Sequence, residues 1–173
     1  LLIALIGFTG AGKSTLGRMI GKAHGLPIFD VDRLIELQEK CSVAELFVRQ
    51  GETEFRSLER QIIAGLVSSY ATGVIVTGGG AVTAESTRML LYEKCFTVHV
   101  QATLAEIWQR LQGDTERPLL QGDDPKRRLE QLFEERTGLY KLAHLQLDAC
   151  DVKVSASQVV ANWLCFMRRG CTV

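Results

Sequence analysis

No stretch of this 173-residue sequence is apolar for longer than residues 1–6. A membrane-spanning helix needs about 20 such residues, so no membrane partner is expected. Charge of one sign is lacking as well, since 20 Lys plus Arg balance 20 Asp plus Glu. A neutral chain does not carry the basic footprint of generic nucleic-acid binding, and no nucleic-acid partner is expected. The five cysteines, at 41, 95, 150, 165 and 171, are odd in number and include no C-x-x-C pair. That argues against a disulfide framework and for reduced thiols in a cytoplasmic protein. His24, His99 and His144 are far apart and form no zinc pattern with the cysteines. No repeat, low-complexity tract, linker or signal peptide is visible. The chain opens without an initiator Met, as a domain cut from a longer polypeptide would.

What is present is average globular material, 46% hydrophobic and 23% charged, which excludes a disordered chain or a coiled coil. The length suits one domain with a core that needs no metal or disulfide. Residues 1–6, LLIALI, read as a strand buried on both faces. Further strands are expected at 28–31, 73–77, 95–101 and 144–149. Helices are expected at 14–24, 32–40, 43–50, 52–70, 84–93, 103–112, 126–141 and 156–168. The stretch 113–125 is polar, rich in Gly and Pro, and reads as a loop. Strands alternating with helices predict a single α/β domain with a parallel sheet covered on both faces.

The strongest local signal is GFTGAGKST at 7–15. It matches G-x-x-x-x-G-K-[ST] and lies between a buried strand and a helix, as a phosphate-binding loop must. Its glycines let backbone N–H groups turn towards phosphate oxygens, and the helix adds its positive end. Lys13 reaches the β- and γ-phosphates in such a loop, and the Ser14 hydroxyl can ligate Mg²⁺. The loop implies a nucleoside triphosphate with Mg²⁺. It does not separate kinases from GTPases or ATPases.

Four further motifs cluster around this reading. Asp30 and Asp32, taken as the end of the second strand, would point the same way. One could serve hydrated Mg²⁺ and the other an attacking hydroxyl, with a helix N-cap as the alternative role for Asp32. Arg56, in GETEFR at 51–56, sits where a helix dipole disfavours a cation; it needs either an external anion or the nearby Glu59. Gly78, Gly79 and Gly80 follow a β-branched strand and fit close approach of a ligand, or a flexible turn. Arg117, in RPLL at 117–120, would close over a triphosphate as part of a lid, or stay solvated. Arg136, taken alone, is an ordinary surface arginine.

In this order and spacing, these motifs resemble the shikimate kinases, and the resemblance extends over nearly the whole chain. It implies a single-domain P-loop kinase fold with a five-stranded parallel sheet, a substrate-binding region at about 32–60 and a mobile lid at about 113–125. It implies ATP contacts from Gly10, Ala11, Gly12, Lys13, Ser14, Thr15, Arg110 and Arg117, with Arg110 beside the adenine. Ser14 and, through water, Asp30 would serve Mg²⁺. Asp32 would bind the shikimate hydroxyls, Arg56 and Arg136 the carboxylate, and Glu59 would orient Arg56. Gly78, Gly79 and Gly80 would line the same pocket, with Phe47 and Phe55 near the shikimate ring. The loop near residues 149–155 fits the family pattern poorly.

The expected activity is ATP-dependent phosphorylation of the shikimate 3-hydroxyl, in aromatic amino-acid (chorismate) biosynthesis, with Lys13, Asp32 and Arg117 as the catalytic set. The partners implied are shikimate and ATP, and the resemblance implies a monomer. A kinase of gluconate or of a nucleoside monophosphate would share the fold, as would a binding module that had lost the chemistry. An arginine pair suits one carboxylate better than a second phosphate.

Overall fold

The structure, a computed structural model, describes residues 1–112, 124–148 and 152–168. Five strands form one parallel sheet: β1 (Leu2–Ile6), β2 (Ile28–Asp30), β3 (Val74–Val76), β4 (Cys95–Gln101) and β5 (Leu145–Asp148), in the order β2-β3-β1-β4-β5. The expected five-stranded parallel sheet is therefore present. Central β1 is flanked on both sides, with Ile3 opposite Val74 on β3 and Phe96 on β4. All five of its residues are buried, which is why the sequence there is apolar without alternation.

Successive β1 side chains divide between two cores. Leu2, Ala4 and Ile6 face a layer containing Val31, Ile35, Phe55, Ile63 and Leu91. These come from α2 (Val31–Glu39), α3 (Val43–Ser69) and α4 (Glu85–Lys94). Ile3 and Leu5 face Leu16 and Ile20 of α1 (Lys13–His24) and Val159 and Trp163 of α7 (Val152–Arg168). Truncating a side chain such as Leu5, with 0% exposure, should cost about 2–5 kcal/mol. A smaller cluster of Phe8, Ile107, Leu111 and Leu129 seats the turn after β1 against α5 (Leu104–Leu111) and α6 (Pro125–Thr137).

The boundaries differ from expectation in instructive places. The helices expected at 43–50 and 52–70 form one run, α3, broken only at Gly51 (φ 81°, ψ 174°). The helix expected to reach 141 ends at Thr137 and continues as a 3₁₀ turn at Gly138–Tyr140. A second 3₁₀ turn, Ala81–Thr83, follows the triple glycine. The closing helix starts at Val152 rather than 156. Of the expected lid, residues 113–123, including Arg117, lie outside the described residues. Its last two residues open α6: Asp124 accepts from the Arg127 N–H at 3.1 Å, and Pro125 occupies the first turn. No described helix is long and apolar enough to cross a membrane.

Candidate active site

The turn from β1 into α1 carries the phosphate-loop motif. Gly10 (φ 74°) and Gly12 (φ 100°) take left-handed conformations that other residues resist. Gly12 occupies the N-cap position without a side-chain cap, and no acidic residue stands in the first turn of α1. The positive end of the helix is thus offered to an anion. Lys13 is buried and folds back over the loop, its ammonium donating to the carbonyls of Gly7 and Phe8 at 2.8 Å each. Arg110, near the end of α5, donates to the Gly10 carbonyl at 3.0 Å.

The two aspartates do not share a strand face. The strand stops at Asp30 and Val31 begins α2, so the two-residue spacing straddles a change of backbone geometry. Asp30, not Asp32, is the N-cap, accepting from the Arg33 N–H at 3.4 Å. Its other oxygen stands 3.5 Å from the Ser14 hydroxyl, which donates to it. Asp32 lies in the first turn of α2 with Oδ1 buried and without a hydrogen-bond partner. Burial and then neighbouring Asp30 push its carboxyl above the usual range, while Lys13 and Arg56 pull it down. Asp32 therefore sits within electrostatic reach of both the phosphate loop and Arg56.

Arg56 is held by two acids of its own helix, Glu59 at 2.7 Å and Glu52 at 3.2 Å. Its guanidinium carbon lies 5.1 Å from the Phe55 ring centre and 5.9 Å from that of Phe47. The two rings, 4.5 Å apart, form a floor under the cation. The internal pair with Glu59 is real, but it is no surface pair, because Glu59 has 0% exposure. Arg136 is not an ordinary surface residue either. It is buried in the last turn of α6, 6.0 Å over the Phe8 ring, and has no ion-pair partner among the described residues. Burial lowers its pKa, and the nearby Arg56 adds to the lowering. Two cations that repel each other beside a single fully buried acid, Glu59, leave room for an external anion.

The triple glycine knits these groups together. A Cβ on Gly78 would stand 2.9 Å from both Asp32 Oδ1 and Glu59 Oε1, two buried carboxylate oxygens without a hydrogen-bond partner. One on Gly79 would stand 2.7 Å from the Thr9 backbone nitrogen. One on Gly80 would collide with Arg56 Nη2. None of the three has positive φ, so it is crowding rather than turn geometry that favours glycine here. The close approach seen here is made by the protein's own site groups.

Sequence reasoning missed Tyr140, whose hydroxyl donates to the Gly79 carbonyl at 2.7 Å. Its only local signal is its place one helical turn after Arg136. Glu52, the second acid on Arg56, was also missed, although its i,i+4 spacing was legible. Of the 149–155 loop, residues 149–151 lie outside the described residues, and the Ser155 hydroxyl donates to the Asp148 carbonyl at 3.2 Å.

A parallel sheet with a phosphate loop at the carboxyl end of its central strand, and Asp32 and Arg56 within electrostatic reach of that loop, places the chain among the P-loop nucleotide-binding proteins. A family model described as "Shikimate kinase" matches residues 9–167. The shikimate kinase of Burkholderia thailandensis is 39% identical over 147 residues, covering 84% of this chain and 79% of that protein. The shikimate kinase from Acinetobacter baumannii, solved in complex with shikimate, superposes with a TM-score of 0.88 at 31% identity, covering 94% of this chain and 92% of that one. The shikimate kinase from Aquifex aeolicus superposes with a TM-score of 0.82 at 27% identity over 100% of both chains. This chain belongs to the shikimate kinase family.

Proposed function

We propose that this protein transfers the γ-phosphoryl group of ATP to the 3-hydroxyl of shikimate, giving shikimate 3-phosphate and ADP in aromatic amino-acid biosynthesis. The observation that carries this reading is the position of Asp32. It feels the phosphate-loop Lys13 on one side and Arg56, of the arginine pair, on the other. A carboxylate there can touch an acceptor hydroxyl while Arg56 and Arg136 hold the acceptor's carboxylate and Lys13 holds the donor's phosphates. Gly78, Gly79 and Gly80 line the same cleft, and Glu59 orients Arg56.

The acceptor oxygen forms its bond to the γ-phosphorus as the bond from that phosphorus to the β–γ bridging oxygen breaks, and the bridging oxygen keeps the electron pair and leaves as part of ADP. Asp32 accepts the hydroxyl hydrogen bond, directs the oxygen lone pair towards phosphorus and takes the proton as the bond forms. A carboxyl lifted above its usual range by burial is the better proton acceptor. Lys13 neutralises charge on the transferring group, and Gly10, Ala11, Gly12, Ser14 and Thr15 cradle the phosphates. Arg117 is assigned the phosphates from the lid, and Arg110 the adenine side, on the family resemblance.

Among the described residues no group of three or more His, Cys, Asp or Glu could hold a metal. Mg²⁺ at a nucleotide needs less, since phosphates and waters supply most of its ligands. The neighbouring oxygens of Ser14 and Asp30, 3.5 Å apart beside the phosphate loop, fit that donor set. When bound there, Mg²⁺ would neutralise phosphate charge. The working form is assigned as a cytoplasmic monomer on family resemblance, which light scattering after gel filtration tests.

The direct test is a coupled ADP-release assay with shikimate, gluconate and nucleoside monophosphates side by side. Turnover with shikimate alone is expected. Turnover with another acceptor in its place, or with none, would overturn the reading.

A further inference from the structure

Tyr140 is buried at the end of the 3₁₀ turn that follows α6. Its ring is clamped. His99, on β4, stacks on it with ring centres 4.7 Å apart and planes 20° from parallel. Gln146, on β5, ties the pair together. Its amide nitrogen donates to the carbonyls of Tyr140 and Lys141 at 3.3 Å each, so its oxygen faces His99 Nδ1 at 2.6 Å. That nitrogen must then carry the hydrogen. Burial, and further off the Lys13 ammonium, hold the His99 pKa down against the Gln146 bond.

The clamped ring aims its hydroxyl at the Gly79 carbonyl. The phosphate loop holds Gly79 as well, where the Thr9 backbone leaves no space for a side chain. A peptide unit is planar and trans, so the Gly79 C=O and the Gly80 N–H point in opposite directions within one rigid plane. The Gly80 N–H has no hydrogen-bond acceptor among the described residues. A Cβ on Gly80 would strike Arg56 Nη2, so this residue lies against the arginine of the acceptor site.

We propose that Tyr140 is a positioning residue of the acceptor site: its bond to the Gly79 carbonyl locks the Gly79–Gly80 peptide plane and so presents the Gly80 N–H to an oxygen of the bound acceptor. This rests on the acceptor-site reading given above. Tyr140 acts through the Gly79–Gly80 peptide plane, on the side of the acceptor.

Tyr140→Phe keeps the ring and its stack and removes only the hydroxyl. Titration calorimetry should show the shikimate Kd raised about three- to tenfold, the effect of one net hydrogen bond. KM for shikimate should follow, with Mg-ATP affinity within about twofold of the parent. A core-packing role would give no such split. Shikimate affinity unchanged in the variant, or equal losses for both ligands, would overturn the proposal. A second measurement needs no variant: in the parent protein, the Gly80 amide proton should move downfield on adding shikimate. An unmoved resonance overturns the proposal even if Tyr140→Phe fails to fold. A parent that binds no shikimate overturns the acceptor-site reading itself and this proposal with it.

Discussion

Glu59 and Arg56 form a 2.7 Å ion pair in which the acid is the deeper partner, fully buried, while the arginine side chain keeps 15% exposure. One carboxylate oxygen takes the arginine, and the other meets no donor beside Gly78. Burial outweighs the pull of Arg56 and raises the Glu59 pKa from 4.5 to about 7.

That shift sets a pH dependence with a definite sign. The folded state holds the Glu59 proton more tightly than the unfolded chain does. Its contribution to stability is complete below about pH 4.5, falls as pH rises towards about 7, and is flat above. Asp32, also raised, acts in the same direction. Thermal unfolding across this range should show a shallower decline for Glu59→Gln than for the parent. Identical slopes would mean that Glu59 does not titrate there.

The arginine pair predicts a selective binding defect. Arg56→Lys and Arg136→Lys keep a charge but lose the planar fork, and each should weaken shikimate binding by about 1.5–3 kcal/mol. ATP affinity should barely move. Calorimetry that finds shikimate affinity intact in both variants removes the pair from the carboxylate site.

The two aspartates should separate kinetically. Asp30→Asn weakens the donor set with Ser14 and should raise the Mg²⁺ concentration needed for half-maximal rate. Asp32→Asn should suppress kcat while Mg-ATP still binds. Near-normal kinetics in both variants would reduce Asp30 to its capping role and leave Asp32 without a part in turnover.

The glycines give a contrast within three residues. Gly80→Ala meets the movable end of Arg56, so the fold should tolerate it while shikimate affinity falls. Gly79→Ala meets the Thr9 backbone at 2.7 Å, which has no rotamer to yield. It should cost about 1–3 kcal/mol of stability and weaken ATP binding too. Denaturant unfolding alongside binding measurements for the two variants checks the order. Equal stability loss in both would show that the contacts relax alike.

Local order was legible because its causes are local. The phosphate loop needs its glycines, Lys13 and Ser14 within one strand-to-helix turn, and the sequence 7–15 supplies them in place. The unbroken apolar β1 required cover on both faces, and the alternation of strands and helices required a parallel sheet. Two residues of spacing did not reveal that Asp30 and Asp32 lie on different elements, because a strand-to-helix switch rotates side chains in a way that residue types alone leave open. The remaining site contacts were decided by the tertiary structure. Glu59 was legible only as an acid near Arg56 on the same helix, and its burial came from α3 packing on the sheet. Arg136 had no visible partner until α6 laid it over Phe8, and Tyr140 reaches Gly79 across 61 residues. Such pairings follow from the order β2-β3-β1-β4-β5 and from how closely helices settle on that sheet. They depend on packing between distant segments, which no local pattern of residues encodes.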